Sequence, residues 1–173
     1  MLMSESYIEC MVAARTPMWK LVCKYLMYFL TVVAVLLFFV TGGAGVINLA
    51  VMVVAIALGV GAYFMSLFSN LEYEYLYLDK EITVDKILNK SRRKRMATYS
   101  LEKIEIMAPI RSYHLDGYKN RTCKVVDISS GVENMPDKRY VFFYDGKEKI
   151  IFEPTEEFVK IVKNVAPRKV FTD

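Results

Sequence analysis

From Tyr25 to Leu71 the chain runs through 47 residues without one Asp, Glu, Lys or Arg. A soluble core does not require so long an uncharged run. A pair of bilayer-crossing helices does, each needing ~20 mostly apolar residues to cross ~30 Å of hydrocarbon. The pattern predicts one crossing over about residues 21–41 and a second over about 46–68. Thr41-Gly42-Gly43-Ala44-Gly45 is too short for a folded loop, so the two helices are expected to be antiparallel neighbours joined by a tight turn. Glycine reaches the positive φ angles that such a turn demands. Lys24, at the start of the first span, can extend its charged end to the headgroups.

From Glu72 onward the period changes. Glu72-Tyr73-Glu74-Tyr75-Leu76-Tyr77-Leu78 alternates and puts Tyr73, Tyr75 and Tyr77 on one face, as a half-buried strand requires. Further strands are predicted over 81–88, 92–99, 101–108, 123–128, 140–144 and 149–152, seven in all and rich in β-branched and aromatic residues. Asp145-Gly146 is a hairpin turn signal. A single helix follows. Thr155 can cap it, Glu156 and Glu157 suit its positive terminus, and Pro167 marks its end. Phe158, Ile161, Val162 and Val165 then form one apolar stripe. The division expected is an N-terminal segment (1–20), a helical hairpin (21–70) and a soluble domain (71–173). Within the first segment, Tyr7, Ile8, Met11 and Val12 ahead of Pro17 suggest a short helix lying on the membrane surface.

Seven antiparallel strands followed by one amphipathic helix is the element order of a pleckstrin-homology-like (PH-like) barrel. The Tyr-rich start Glu72-Tyr73-Glu74-Tyr75-Leu76-Tyr77 resembles the first strand of the bacterial PH-like domains that follow transmembrane hairpins in small membrane proteins. The segment Ile151-Phe152-Glu153-Pro154-Thr155-Glu156-Glu157-Phe158 resembles their strand-to-helix junction. The resemblance covers residues 72–167. It implies an α+β soluble domain, a seven-stranded antiparallel barrel capped by a C-terminal helix, attached to an α-helical membrane hairpin. It implies no assigned activity.

Charge decides the orientation. Arg15, Lys20 and Lys24 flank the first helix on its N-terminal side, the inter-helix turn is uncharged, and Lys80, Lys86, Lys90 and Arg92-Arg93-Lys94-Arg95 follow the second. Positive residues stay on the cytoplasmic side, so a multi-pass protein of the cell membrane with both termini cytoplasmic is expected. A cleaved signal peptide is disfavoured, because a second span follows at once and the apolar core exceeds the ~7–15 residues of a signal h-region. The net charge of +4 divides into +1 over 1–71 and +3 over 72–173. Neither part has the basic excess of a nucleic-acid binder. Cys10, Cys23 and Cys123 are odd in number, widely spaced and without Cys/His ligand spacing, which argues against a disulfide framework or a metal site.

No nucleophile elbow or phosphate loop is present, and the single histidine, His114, is expected to be a solvated loop residue. No catalytic residue, metal or cofactor is therefore expected. Two clusters remain. Lys90, Arg92, Arg93, Lys94 and Arg95 lie about a turn that returns toward the bilayer, and each cation near an anionic surface contributes ~1 kcal/mol. The alternative is a solvated polar turn. Ala55, Gly59, Ala62 and Ser66 form one small-residue face of the second helix, which allows close helix approach. Packing within the hairpin is the simpler use, homo-oligomerisation the other. The reading that follows is a non-enzymatic, membrane-anchored interaction module docking a protein partner or anionic headgroups. An accessory subunit of a larger membrane complex, or an enzyme with an unrecognised site, are the alternatives.

Overall fold

The computed structural model describes residues 7–42, 45–133 and 135–173. Residues 1–6 of the N-terminal segment, and Gly43 and Ala44 of the expected turn, lie outside the described residues. The chain divides into a helical unit, residues 16–71, and a sheet-rich unit that joins the residues up to Arg15 with Glu72–Asp173.

In the helical unit, α1 (Met18–Val40) and α2 (Val46–Ser69) pack as a pair. Both are long and apolar enough to cross a membrane, with mean hydropathies of 2.2 and 2.3. Large apolar side chains such as Phe29, Leu36, Leu49 and Ile56 are exposed on the pair, which makes sense when lipid is the solvent. Trp19 and Tyr25 sit in the first two turns of α1, and Tyr63 in the last two turns of α2. That places aromatic side chains at one end of the hairpin, the distribution of an interfacial belt. Polar groups at each end of the pair are hydrogen-bonded. At one end Asn48, buried in an otherwise apolar helix, pairs with the hydroxyl and carbonyl of Thr41. At the other the Thr16 hydroxyl donates to the Ser69 carbonyl. Gly42 and Gly45 take φ of 80° and 98°, angles that side chains with a Cβ resist.

The sheet-rich unit contains eight strands: β1 (Ile8–Ala13), β2 (Leu71–Leu78), β3 (Glu81–Leu88), β4 (Arg92–Ser100), β5 (Ile104–Pro109), β6 (Lys124–Asp127), β7 (Tyr140–Tyr144) and β8 (Glu148–Phe152). They form two four-stranded sheets, β1-β2-β3-β4 (sheet A) and β5-β7-β8-β6 (sheet B). All seven strands expected after the hairpin are present. Three features differ from expectation. The strands make two sheets rather than one closed barrel. β6 runs parallel to β8, because β6 lies beyond β8 in the sheet and its chain must pass over to reach β7. And the eighth strand, β1, comes from before the hairpin, where a surface helix was expected. Ile8, Cys10 and Val12 alternate toward the core, and pairing with β2 satisfies their backbone in a way an isolated short helix does not.

A core of aromatic residues fills the space between the sheets and α3 (Glu156–Val165). Phe152 is its hub, with edge-to-face contacts to Tyr75, Phe142 and Phe158 at 5.5, 5.3 and 6.3 Å. The buried Tyr75 hydroxyl donates to the Ile128 carbonyl (2.5 Å) and accepts from the Glu153 amide. Burial pushes its pKa up. The Thr155 hydroxyl accepts from the Phe158 amide at 3.3 Å and caps α3. Phe158, Val159 and Val162 are the buried residues of α3, whereas Val165 is 42% exposed. The apolar stripe is thus rotated from the one read by spacing alone. A second cluster, including Ile106, Leu115 and Phe143, lies under the 3-10 helix Tyr113–Tyr118. The C-terminal tail covers the edge of β5, with Met107 bonded to the Lys169 carbonyl and the Phe171 amide, both at 2.8 Å.

Candidate functional site

The basic run lies on an edge strand. β3 and β4 are joined by the turn Asn89–Ser91, in which Asn89 and Lys90 take φ of 49° and 56°. Cross-strand register then sets every side chain: Leu88 faces Arg92, Ile87 faces Arg93, Lys86 faces Lys94, and Asp85 faces Arg95. Past Asp85 a bulge shifts the pairing, so Val84 faces Ala97. Because strand side chains alternate between faces, Arg93 and Arg95 share one face and Arg92 and Lys94 the other. Lys90 and Arg92 to Arg95 are all exposed.

The two faces differ in their partners. Arg93 donates to Glu74 Oε1 at 2.7 Å, across from β4 to β2. Arg95 lies 3.6 Å from Asp85 Oδ1, an oxygen otherwise without a hydrogen-bond partner. Both carboxylates are buried, Glu74 more deeply (3% exposed). Glu9 of β1 completes the group: it accepts from the Tyr7 hydroxyl at 2.8 Å and shares a hydrogen bond with Glu74. Burial, then that shared bond, pushes the Glu74 carboxyl up to about 7, with Arg93 opposing. Glu9 is held below the ordinary carboxylate range by hydrogen bonds from Glu74 and Tyr7. Where Glu74 holds its proton, below about pH 7, its carboxyl donates to Glu9. On the opposite face, Lys86, Arg92 and Lys94, with Lys90 at the turn, have no ion-pair or side-chain hydrogen-bond partner among the described residues.

Sequence reasoning named the run but not its acidic partners. Glu74 sits two strands away, and only the sheet brings it to Arg93. Lys86 was within reach: counting outward from a three-residue turn places it opposite Lys94.

In the helical unit, the four residues of the small face are distributed over α2. Ala62 is fully buried. An added Cβ at Gly59 would meet Thr31 of α1 at 3.8 Å. Ala55 borders a 320 Å³ gap with Val35, Phe38, Phe39, Met52 and Ile56. Ser66 is half-buried. The closest approach is at Gly61, outside the named face, where a Cβ would collide with the Met27 methyl.

Other candidates carry less chemistry. His114 belongs to the 3-10 helix rather than to a solvated loop. Its ring stacks on Phe171 at 3.8 Å, and its side chain is 20% exposed. Leu115 next to it is buried, which pulls the segment onto the sheet. Cys10 is buried and burial raises its thiol pKa, which disfavours the reactive thiolate. Among the described residues no three His, Cys, Asp or Glu are placed to hold a metal ion.

A family model described as a bacterial PH-like domain matches residues 4–172. No curated protein and no solved structure matches the chain.

Proposed function

The chain belongs to the bacterial PH-like domain family, and on that premise we propose that it is a non-enzymatic, membrane-anchored module whose β3–β4 hairpin docks on the anionic surface of the membrane. PH-like domains commonly bind lipids or proteins, and their binding surfaces vary between members of a fold. The observation that carries the reading is the exposed group Lys90, Arg92, Arg93, Lys94 and Arg95 at one end of sheet A. β2 and β3 are joined by the two-residue turn Asp79-Lys80, so the end of β3 falls beside the start of β2. The basic turn therefore lies at the end of sheet A from which the chain passes to and from the helical hairpin. Each cation near an anionic leaflet contributes ~1 kcal/mol, attenuated by salt.

The anchor reading is supported by the pairing of β1 with β2. A strand before the hairpin and a strand after it share one sheet, which requires both on one side of the membrane. The cations flanking α1 and following α2 make that side the cytoplasm. The accessory-subunit reading needs the Ala55/Gly59/Ala62/Ser66 face to be open. The burial of Ala62 and the proximity of Gly59 to Thr31 favour use within the hairpin instead.

The test is a spin label at position 91 (S91C) on the full chain in nanodiscs. Phosphatidylglycerol discs should reduce the label's access to a water-soluble relaxation agent, and added salt should restore it. Equal access in phosphatidylglycerol and phosphatidylcholine discs would exclude the lipid surface as the docking target.

A further inference from the structure

We propose that Lys86, Arg92 and Lys94 form a single phosphate-binding face on the β3–β4 hairpin, taking phosphodiester oxygens of anionic lipid headgroups, while Arg93 and Arg95 serve to hold the hairpin to sheet A. This inference rests on the membrane-surface reading and narrows it to one face and three residues, one of them outside the basic run.

The register carries it. Lys86 and Lys94 are direct cross-strand partners, and Arg92 follows Lys94 on the same face. Like charges directly opposite one another destabilise a sheet. Natural edge strands tolerate isolated cations as a guard against aggregation, but three cations converging on one face from two strands go beyond that need. None has an acidic partner among the described residues. An anion held between them removes the repulsion. Arg supplies a planar fork for two phosphate oxygens, and the two lysines supply point charges to the remainder. The opposite face already has acidic partners, since Arg93 lies 2.7 Å from Glu74 and Arg95 stands 3.6 Å from Asp85. The four consecutive cations Arg92 to Arg95 thus divide by strand alternation, Arg92 and Lys94 joining Lys86 as the binding set and Arg93 and Arg95 forming the holding set. A lipid is favoured over free phosphate because the face lies at the end of sheet A that the chain leaves for the hairpin.

The experiment titrates the detergent-solubilised full chain with short-chain phosphatidylglycerol, short-chain phosphatidylcholine or inorganic phosphate. Acylation of each lysine is read by mass spectrometry. Phosphatidylglycerol should protect Lys86 and Lys94, and leave Lys138 and Lys160 reactive, at concentrations where phosphatidylcholine protects neither pair. R92Q should raise the phosphatidylglycerol concentration for half-protection about fivefold. R93Q should leave it unchanged, with thermal unfolding recorded to verify that the variant is folded. Equal protection by inorganic phosphate would overturn the assignment to lipid. Lys86 and Lys94 staying reactive, or R93Q weakening protection as much as R92Q, would overturn the division of faces. If the label at position 91 still docks on anionic discs in that event, only this inference falls. If docking is absent too, the membrane-surface reading falls with it.

Discussion

Cys10 of β1 lies directly opposite Tyr75 of β2 in antiparallel register, with the whole helical hairpin between them in the chain. Two neighbouring strands of one sheet are connected in the chain through the pair of long apolar helices. The sheet-rich unit is thus discontinuous in sequence, and residues on both sides of the hairpin build its core.

A fragment starting at Glu72 should accordingly be impaired. It lacks β1, whose Ile8, Cys10 and Val12 pack against the core, a burial contributing on the order of 3 kcal/mol. The expected loss is ~10–20 °C in Tm, with a tendency to aggregate through the bare edge of β2. Joining Tyr7–Arg15 to Glu72–Asp173 by a short Gly/Ser linker should restore cooperative unfolding. Equal melting temperatures for the two fragments would show that β1 adds nothing.

The Glu9–Glu74 pair makes a prediction about pH. The Glu74 carboxyl is raised from 4.5 to about 7 by burial and by its bond to Glu9. A raised carboxyl pKa means the folded state holds the proton more tightly than the unfolded chain. Its stabilisation is complete below about pH 4.5 and is lost as the pH rises through 7. E74Q keeps a neutral hydrogen-bonding group there at every pH. It should remove this part of the pH dependence and stabilise the full chain at pH 8, by on the order of 1 kcal/mol. Thermal unfolding of wild type and E74Q between pH 4 and pH 8 reads it. Parallel profiles for the two proteins would mean that Glu74 does not titrate in this range.

Arg139 is buried with Asp137, its guanidinium 2.7 Å from the carboxylate, and the two side chains are only 10% and 5% exposed. R139A leaves that carboxylate with the backbone amide of residue 139, at 3.1 Å, and with Arg111, 3.9 Å away. The single variant should cost about 3 kcal/mol. D137A/R139A should cost less than R139A alone, since no buried charge is then stranded. A double variant as unstable as the sum of the singles would contradict the coupling.

Local chemistry was readable wherever the determinants lie close in sequence. The Tyr140–Tyr144 strand, the Asp145-Gly146 turn and the Thr155 cap all appear at the residues expected. Determinants remote in sequence were not readable. Tyr7 to Val12 carries a strand alternation that only makes sense once β2, beyond the hairpin, is there to pair with it. Parallel pairing of β6 with β8 depends on where the 128–139 connection travels, which no local pattern records. At the basic run, the charges themselves were evident, but their division was not. It depends on Glu74 reaching Arg93 across sheet A, and on the bulge between Val84 and Asp85, beyond which Arg95 pairs with Asp85.

Within the hairpin, Ala62 is fully buried and Ala57, on the same helix, is exposed. A62L should overpack the helix pair and cost about 1–3 kcal/mol, whereas A57L should be nearly neutral because its side chain meets lipid. Steric-trap unfolding in bicelles separates the two. Equal effects would mean that this side of α2 is not the contact surface with α1.

The last prediction concerns sidedness, and it follows from a sheet rather than from hydropathy. Neutralising Arg15, Lys20 and Lys24 removes the cations just before α1 and within its first two turns, which in a simple two-span protein would favour moving the N-terminus outside. Here that movement would separate β1 from β2, breaking the register from Ile8–Tyr77 to Ala13–Glu72 and opening the core beside Cys10. On the proposed orientation, the basic residues after α2 still favour the cytoplasmic side for the larger part of the domain. Labels at Tyr7 and Thr172 (Y7C and T172C) should therefore remain on the same side in wild type and in the R15Q/K20Q/K24Q variant. Modification by a membrane-impermeant maleimide should require permeabilised cells or inverted vesicles in both. A variant that exposes position 7 outside while position 172 stays protected, and that still melts like wild type, would show that β1 is dispensable to the domain.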